Sequence, residues 1–250
     1  MEQEKSIAAA FEAAAARMAN SGIGTLAERT LHGTLKYWLQ PNEAFHEVAV
    51  EGCVADIFDG ATVTEVQTVG LYPLKKKLAT LLAHHPVTVA VPIPHRKWVA
   101  WIDPETGESG ALHRSPKTGK PWDALPELFW ITEFWLAETA YPLTVRLLFV
   151  DLEEYRLQDG WGNDGKRGAH RADRRPLAVT DEITLHGFAD VGALLPPLPE
   201  EFTAADLQKA LGRRGRTLWR ATRFLEESGT ITRFRKDGRT IIYKEKGAFI

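Results

Sequence analysis

Residues 53–68 read CVADIFDGATVTEVQT, and the fold of the chain turns on how they are paired. Cys53 to Phe58 is apolar except for Asp56, and Thr62 to Thr68 is rich in β-branched residues with Glu65 and Gln67 embedded. Asp59-Gly60 between them is a hairpin signal, because a tight turn needs positive φ and glycine supplies it. With a two-residue turn, Phe58 faces Ala61 and Asp56 faces Val63. Side chains alternate along a strand, so Val63, Glu65 and Gln67 share the face of Asp56, with Glu65 diagonally across from it. Two carboxylates in otherwise apolar strands are costly unless something compensates them. A hard divalent ion, Mg2+ or Mn2+, would do so through oxygen ligands. The competing reading puts each carboxylate in an ordinary ion pair, Asp56 with an arginine and Glu65 with Lys36 or Lys97.

Working outward, an Ala-rich accessory helix over 6–19 is stopped by Ser21-Gly22-Ile23-Gly24. Thr25 and Glu28 have capping-box spacing for a second helix, whose apolar stripe is Leu26, Leu31, Leu35 and Leu39. His46 to Val50 alternates as a first strand. On the other side, Leu71 to His84 has helical period, with Lys75, Lys76 and Lys77 near its start, and Val87 to Ile93 reads as a buried strand. Turns and a basic stretch fill 97–120, then a helix runs from about Glu127 to Glu138 and a strand from Leu143 to Leu152. Residues 159–176 form a polar loop with Lys166, Arg167, Arg171, Arg174 and Arg175. This order makes an α/β core with a mixed sheet.

The stretch from Thr25 to Pro94 resembles the PD-(D/E)XK nuclease superfamily, the restriction-endonuclease-like fold. The resemblance rests on the helix bearing Glu28, then Val54-Ala55-Asp56-Ile57, then a hairpin into Glu65-Val66-Gln67-Thr68, then a helix and a core strand. It implies a mixed sheet flanked by helices, Mg2+ or Mn2+ held by Asp56 and Glu65 with help from Glu28, and hydrolysis of phosphodiester bonds. The third motif position, usually lysine in that family, is Gln67. Glutamine can orient a water but carries no charge, so Lys77 or its neighbours on the next helix would have to supply it.

Pro196-Pro197-Leu198-Pro199 reads as a stiff linker dividing the chain into an accessory helix (1–24), a nuclease-like domain (25–195) and a C-terminal module (200–250). Thr203 and Asp206 have capping-box spacing, and Leu207 and Leu211 lie on one face of a helix that Gly212 ends. A second helix spans Arg216 to Ser228, and strands Ile231 to Phe234 and Thr240 to Tyr243 flank Asp237-Gly238. The arrangement resembles a winged helix-turn-helix. It implies that duplex DNA meets Arg213, Arg214, Arg216, Arg220 and Arg223 on the second helix and Arg235, Lys236 and Arg239 on the wing. Trp219 is expected in the core.

Charge supports the division: residues 203–246 hold 12 Lys/Arg against 5 Asp/Glu within a chain of net charge −2. A positive module on an acidic body is the footprint of nucleic-acid binding. The single cysteine, Cys53, excludes an internal disulfide and a cysteine-only zinc site. No apolar run approaches the roughly 20 residues that span a bilayer, and no basic leader opens the chain, so a cytoplasmic protein without membrane attachment is expected. His32, His46, His84, His85, His95 and His113 form no zincin motif and read as satisfied histidines. The expectation is a metal-dependent DNA endonuclease, with a homodimer as one way to cut both strands. Two alternatives stay open: a non-catalytic DNA-binding regulator, and a protein-interaction adaptor.

Overall fold

The computed structural model describes residues 6–20, 29–137, 139–157 and 170–246. Glu28, Thr25, Lys166 and Arg167 lie outside the described residues. Elements follow in the order α1 (Ile7–Asn20), α2 (Arg29–Leu39), β1 (His46–Val50), β2 (Cys53–Phe58), β3 (Val63–Val66), α3 (Lys75–Leu81), β4 (Val87–Ile102) and β5 (His113–Arg114). Then come α4 (Leu125–Leu128), α5 (Thr132–Leu136), β6 (Leu143–Leu157), β7 (His170–Leu185), β8 (Glu201–Thr203), α6 (Ala204–Leu211), α7 (Gly215–Glu227), β9 (Ile231–Asp237) and β10 (Thr240–Glu245).

The described residues build a seven-stranded mixed sheet flanked by helices, in the order β1-β2-β3-β4-β6-β7 with β5 hung on β4. β3, β4 and β6 run parallel, and the outer pairs are antiparallel. The parallel centre is covered on both faces, which is why the middle of β6, Leu147 to Val150, is a continuous apolar run. Leu143, Val145, Leu147 and Phe149 pack with α3, α4 and α5, while Leu148, Val150 and Leu152 pack with Leu31 and Leu35 of α2. α1 lies against α2, with Ala10 and Ala14 buried beside Tyr37.

Several expected boundaries shift. Lys97–Ile102 is not a turn region but the second half of β4, which passes an irregularity after Pro94 and pairs again with β6. β7 starts at His170, so Arg171, Arg174 and Arg175 stand on a strand rather than a loop. The expected helix near 127–138 is broken into α4, a 3-10 turn over Phe129–Ile131, and α5.

The C-terminal module pairs β8 with β10 and β10 with β9, so a short unforeseen strand joins the expected hairpin. Thr203 caps α6 in a reciprocal box with Asp206, and Gly212, at φ +60°, closes it in the left-handed conformation. The module is not set apart by the proline linker. Phe202, Leu207, Ala221, Phe224 and Leu225 share one core with Leu125, Leu128 and Ile131.

Candidate functional site

The connection from β2 to β3 is longer than a two-residue turn. The Asp59 carboxylate accepts from the Ala61 and Thr62 N–H groups at 2.9 and 2.8 Å, and Phe58 pairs with Val63 rather than Ala61. The register therefore moves by two residues, which leaves each side chain on its expected face. Asp56 and Glu65 become directly opposed instead of diagonal.

At that level the ladder stops. After Ile57↔Thr64 the strands separate, and side chains take over the backbone partners. The Val66 N–H donates to Asp56 Oδ2 at 2.8 Å, and the Asp56 N–H donates to Glu65 Oε1 at 3.3 Å. Two carboxylates thus fill the fork where β3 leaves β2 to pair with β4.

α2 and α3 lie on opposite faces of the sheet, and each sends one group into the fork. His32 of α2 places Nε2 3.1 Å from Asp56 Oδ2, and Lys77 of α3 donates from Nζ to Glu65 Oε2 at 2.5 Å. Among the described residues Asp56 Oδ1 accepts no hydrogen bond. His32, Asp56, Glu65, Gln67 and Lys77 all line a cleft of about 370 Å³ whose rim is Thr68, Val69 and Pro73.

Electrostatics divide the two acids. Glu65, only 3% exposed, is pushed above its ordinary range, first by burial and then by the charge of Asp56, with Lys77 pulling the other way. Burial also opposes ionisation of Asp56, but His32, the Val66 N–H and the Lys77 charge together hold it below its ordinary range. One acid that ionises readily beside one that resists is an arrangement typical of functional sites.

Each acid does take an ion-pairing partner, but not the expected ones: Asp56 meets His32 rather than an arginine, and Glu65 meets Lys77. Lys36 is taken by Glu47 and Lys97 by Glu154. Gln67 lines the cleft, and its side-chain N–H groups donate to the Val69 and Gly70 carbonyls at 2.6 and 2.7 Å, which braces the cleft rim. Lys77 is the nearby cation, while Lys75 pairs with Glu133 instead. His32 is the residue that sequence reasoning set aside. Its signal was its place directly beside Leu31 on the helix preceding the acidic strands. Among the described residues no cluster of three or more His, Cys, Asp or Glu has metal-holding spacing, so the acids stand as a pair.

The eight basic residues expected to meet DNA divide evenly. Arg213 is held by Asp123 at 2.6 Å, Arg220 lies 3.8 Å from Glu127, Arg223 pairs with Glu226 and Glu227, and Arg235 with Glu201. Arg213 and Arg220 thus face the body of the protein rather than open solvent. Arg214, Arg216, Lys236 and Arg239 make no side-chain ion pair among the described residues. Trp219, expected in the core, is 57% exposed.

No helix among the described residues is long and apolar enough to cross a membrane. No solved structure matches the chain. An uncharacterized protein of Treponema pallidum (strain Nichols) is 31% identical over 231 residues, covering 90% of this chain and 88% of that protein. Residues 1–186 alone would fall short of that coverage, so the likeness extends into the C-terminal module. Residues 29–186, which carry the fork, the cleft and the whole seven-stranded sheet, match the family described as "Domain of unknown function (DUF8091)", and the chain belongs to that family.

Proposed function

We propose that the protein is a metal-dependent nuclease acting on DNA, with Asp56 and Glu65 as the acids that hold Mg2+ or Mn2+. The observation that carries this reading is the carboxylate pair in the strand fork, facing one cleft with a lysine beside it. The donors suit such an ion. Both are hard oxygen ligands, Asp56 Oδ1 has no protein partner among the described residues, and a cation would offset both the burial of Glu65, which raises it most, and the charge of Asp56, which adds to that. When bound, the ion supplies Lewis-acid polarisation of a phosphodiester and neutralises its developing charge.

The chain's own residues do the rest. Lys77 places its Nζ at the cleft, next to Glu65, where the negative charge of a phosphate would need balancing. His32 orients Asp56 through Oδ2 and helps keep it ionised. The sequence β8, α6, α7, β9, β10 supports a winged-helix reading of the C-terminal module, with Arg214, Arg216, Lys236 and Arg239 the basic groups best disposed to phosphate.

A second reading, a DNA-binding regulator without catalysis, is favoured by one feature, the Gln67 amide being committed to the rim. Supercoiled plasmid with Mn2+ separates the two. Wild-type protein should nick or linearise it, and Asp56→Asn should lose at least about 100-fold of that rate, the scale on which positioned charge groups act. Plasmid that is bound and never cut supports the regulator.

A further inference from the structure

Between the cleft and α7 runs a strip of aromatic rings that plays no part in holding a cation. Tyr72 is 61% exposed and Trp219 57%. They are joined edge to face through Trp130 and Phe129, with ring centroids 4.7 Å apart for Tyr72–Trp130, 5.4 Å for Phe129–Trp130 and 5.3 Å for Phe129–Trp219. At one end Tyr72 adjoins Pro73, which lines the cleft with Val69, itself 53% exposed. At the other end Trp219 shares a face of α7 with Arg216, three residues before it, and the Arg220 guanidinium sits 5.3 Å from the Trp130 ring centroid.

Large rings left in water beside unpaired cations are informative in a way that a lone exposed leucine is not. A duplex hides its base faces in its own stack and gives such rings nothing to cover. A single strand offers both a charged backbone and free base faces, and exposed aromatics interleaved with basic groups match that chemistry. Tyr72 is the chain neighbour of Pro73 in the cleft lining, so a strand lying on the rings reaches the cleft at that end.

We propose that this strip binds single-stranded DNA, with bases stacked on Trp219 and Tyr72 and phosphates near Arg214 and Arg216. The direction of the strand, toward Asp56 and Glu65, rests on the nuclease reading above; the binding itself does not.

The test is fluorescence anisotropy of labelled oligo(dT) and of a duplex of equal length, with the full chain in EDTA so that no cleavage intervenes. Oligo(dT) should bind more tightly than the duplex. Trp219→Ala and Tyr72→Ala should each weaken oligo(dT) binding by roughly 5- to 150-fold, the range that loss of one stacked base implies. Trp219→Phe should restore most of it, which a general loss of folding would not allow. Unchanged oligo(dT) binding in both alanine variants, or a wild type that prefers the duplex, overturns the proposal. The wild-type protein distinguishes the two claims: oligo(dT) binding in EDTA without plasmid cleavage in Mn2+ leaves this proposal standing and overturns the nuclease reading, and cleavage without oligo(dT) binding does the reverse.

Discussion

At the scale of single residues the account turns on Glu65. A carboxyl whose folded pKa lies above its ordinary value of 4.5 destabilises the fold when ionised. That cost is complete above the folded pKa and disappears below 4.5, where folded and unfolded chains are both protonated. Glu65→Gln should therefore raise Tm at pH 8, by roughly 2–4 °C for each kcal/mol of burial and repulsion cost relieved. The gain should shrink to nothing as pH falls toward 4.5, and thermal denaturation across that range checks it. A gain that grows in acid would contradict the assignment. Asp56 has the opposite sign: its stability contribution is present above 3.8 and is lost as pH falls through its lower folded value. His32→Ala removes a hydrogen bond that favours the ionised acid, so the acid limb of the cleavage pH profile should move to higher pH. The identity of the two acids was legible from their placement in apolar strands. Lys77 was legible as the charge that the next helix brings, whereas His32 was not, because it reaches the fork from the helix on the other face of the sheet.

At the scale of elements, the connection from β3 to α3 shows how the cleft rim is held. Gly70 sits at φ +44°, and a Cβ there would stand 3.3 Å from Glu127 Oε2, the oxygen that accepts the Leu71 N–H. Gly70→Ala should cost on the order of 1–2 kcal/mol for the left-handed backbone alone, visible as a lower urea midpoint. The same substitution loosens the loop that Gln67 braces, so activity should fall with it. Reading elements from the sequence succeeded where period was clean, as in α1, α3 and the β9–β10 hairpin. The β2–β3 turn was read two residues short because the Asp59 side chain, rather than the backbone alone, closes it. The first part of β7, within 170–176, reads as a loop in the sequence because charged residues crowd an edge strand. Their compensation comes from its neighbour, with Glu182 bound to Arg146 and Arg175 facing Glu153 of β6.

At the scale of the whole molecule, the C-terminal module belongs to the body's core. Trp135 and Phe188 meet Phe224 of α7, and Arg213 reaches across 90 positions to Asp123. A stop after residue 199 should uncover those faces, so the truncated chain should bind a hydrophobic dye and lose cooperative unfolding; the full chain should melt in one transition. A truncated body that melts as sharply as the full chain would contradict this. Charge summed along the sequence marked the module as basic but could not reveal that two of its arginines answer acids of the preceding domain. The central claim is that Asp56 and Glu65 share one divalent cation, and electron paramagnetic resonance of free Mn2+ during titration with protein tests it most directly. Wild-type protein should deplete the free signal at one site per chain, while Asp56→Asn and Glu65→Gln leave it nearly intact. Equal depletion by both variants and the wild type, or none by any, would contradict it.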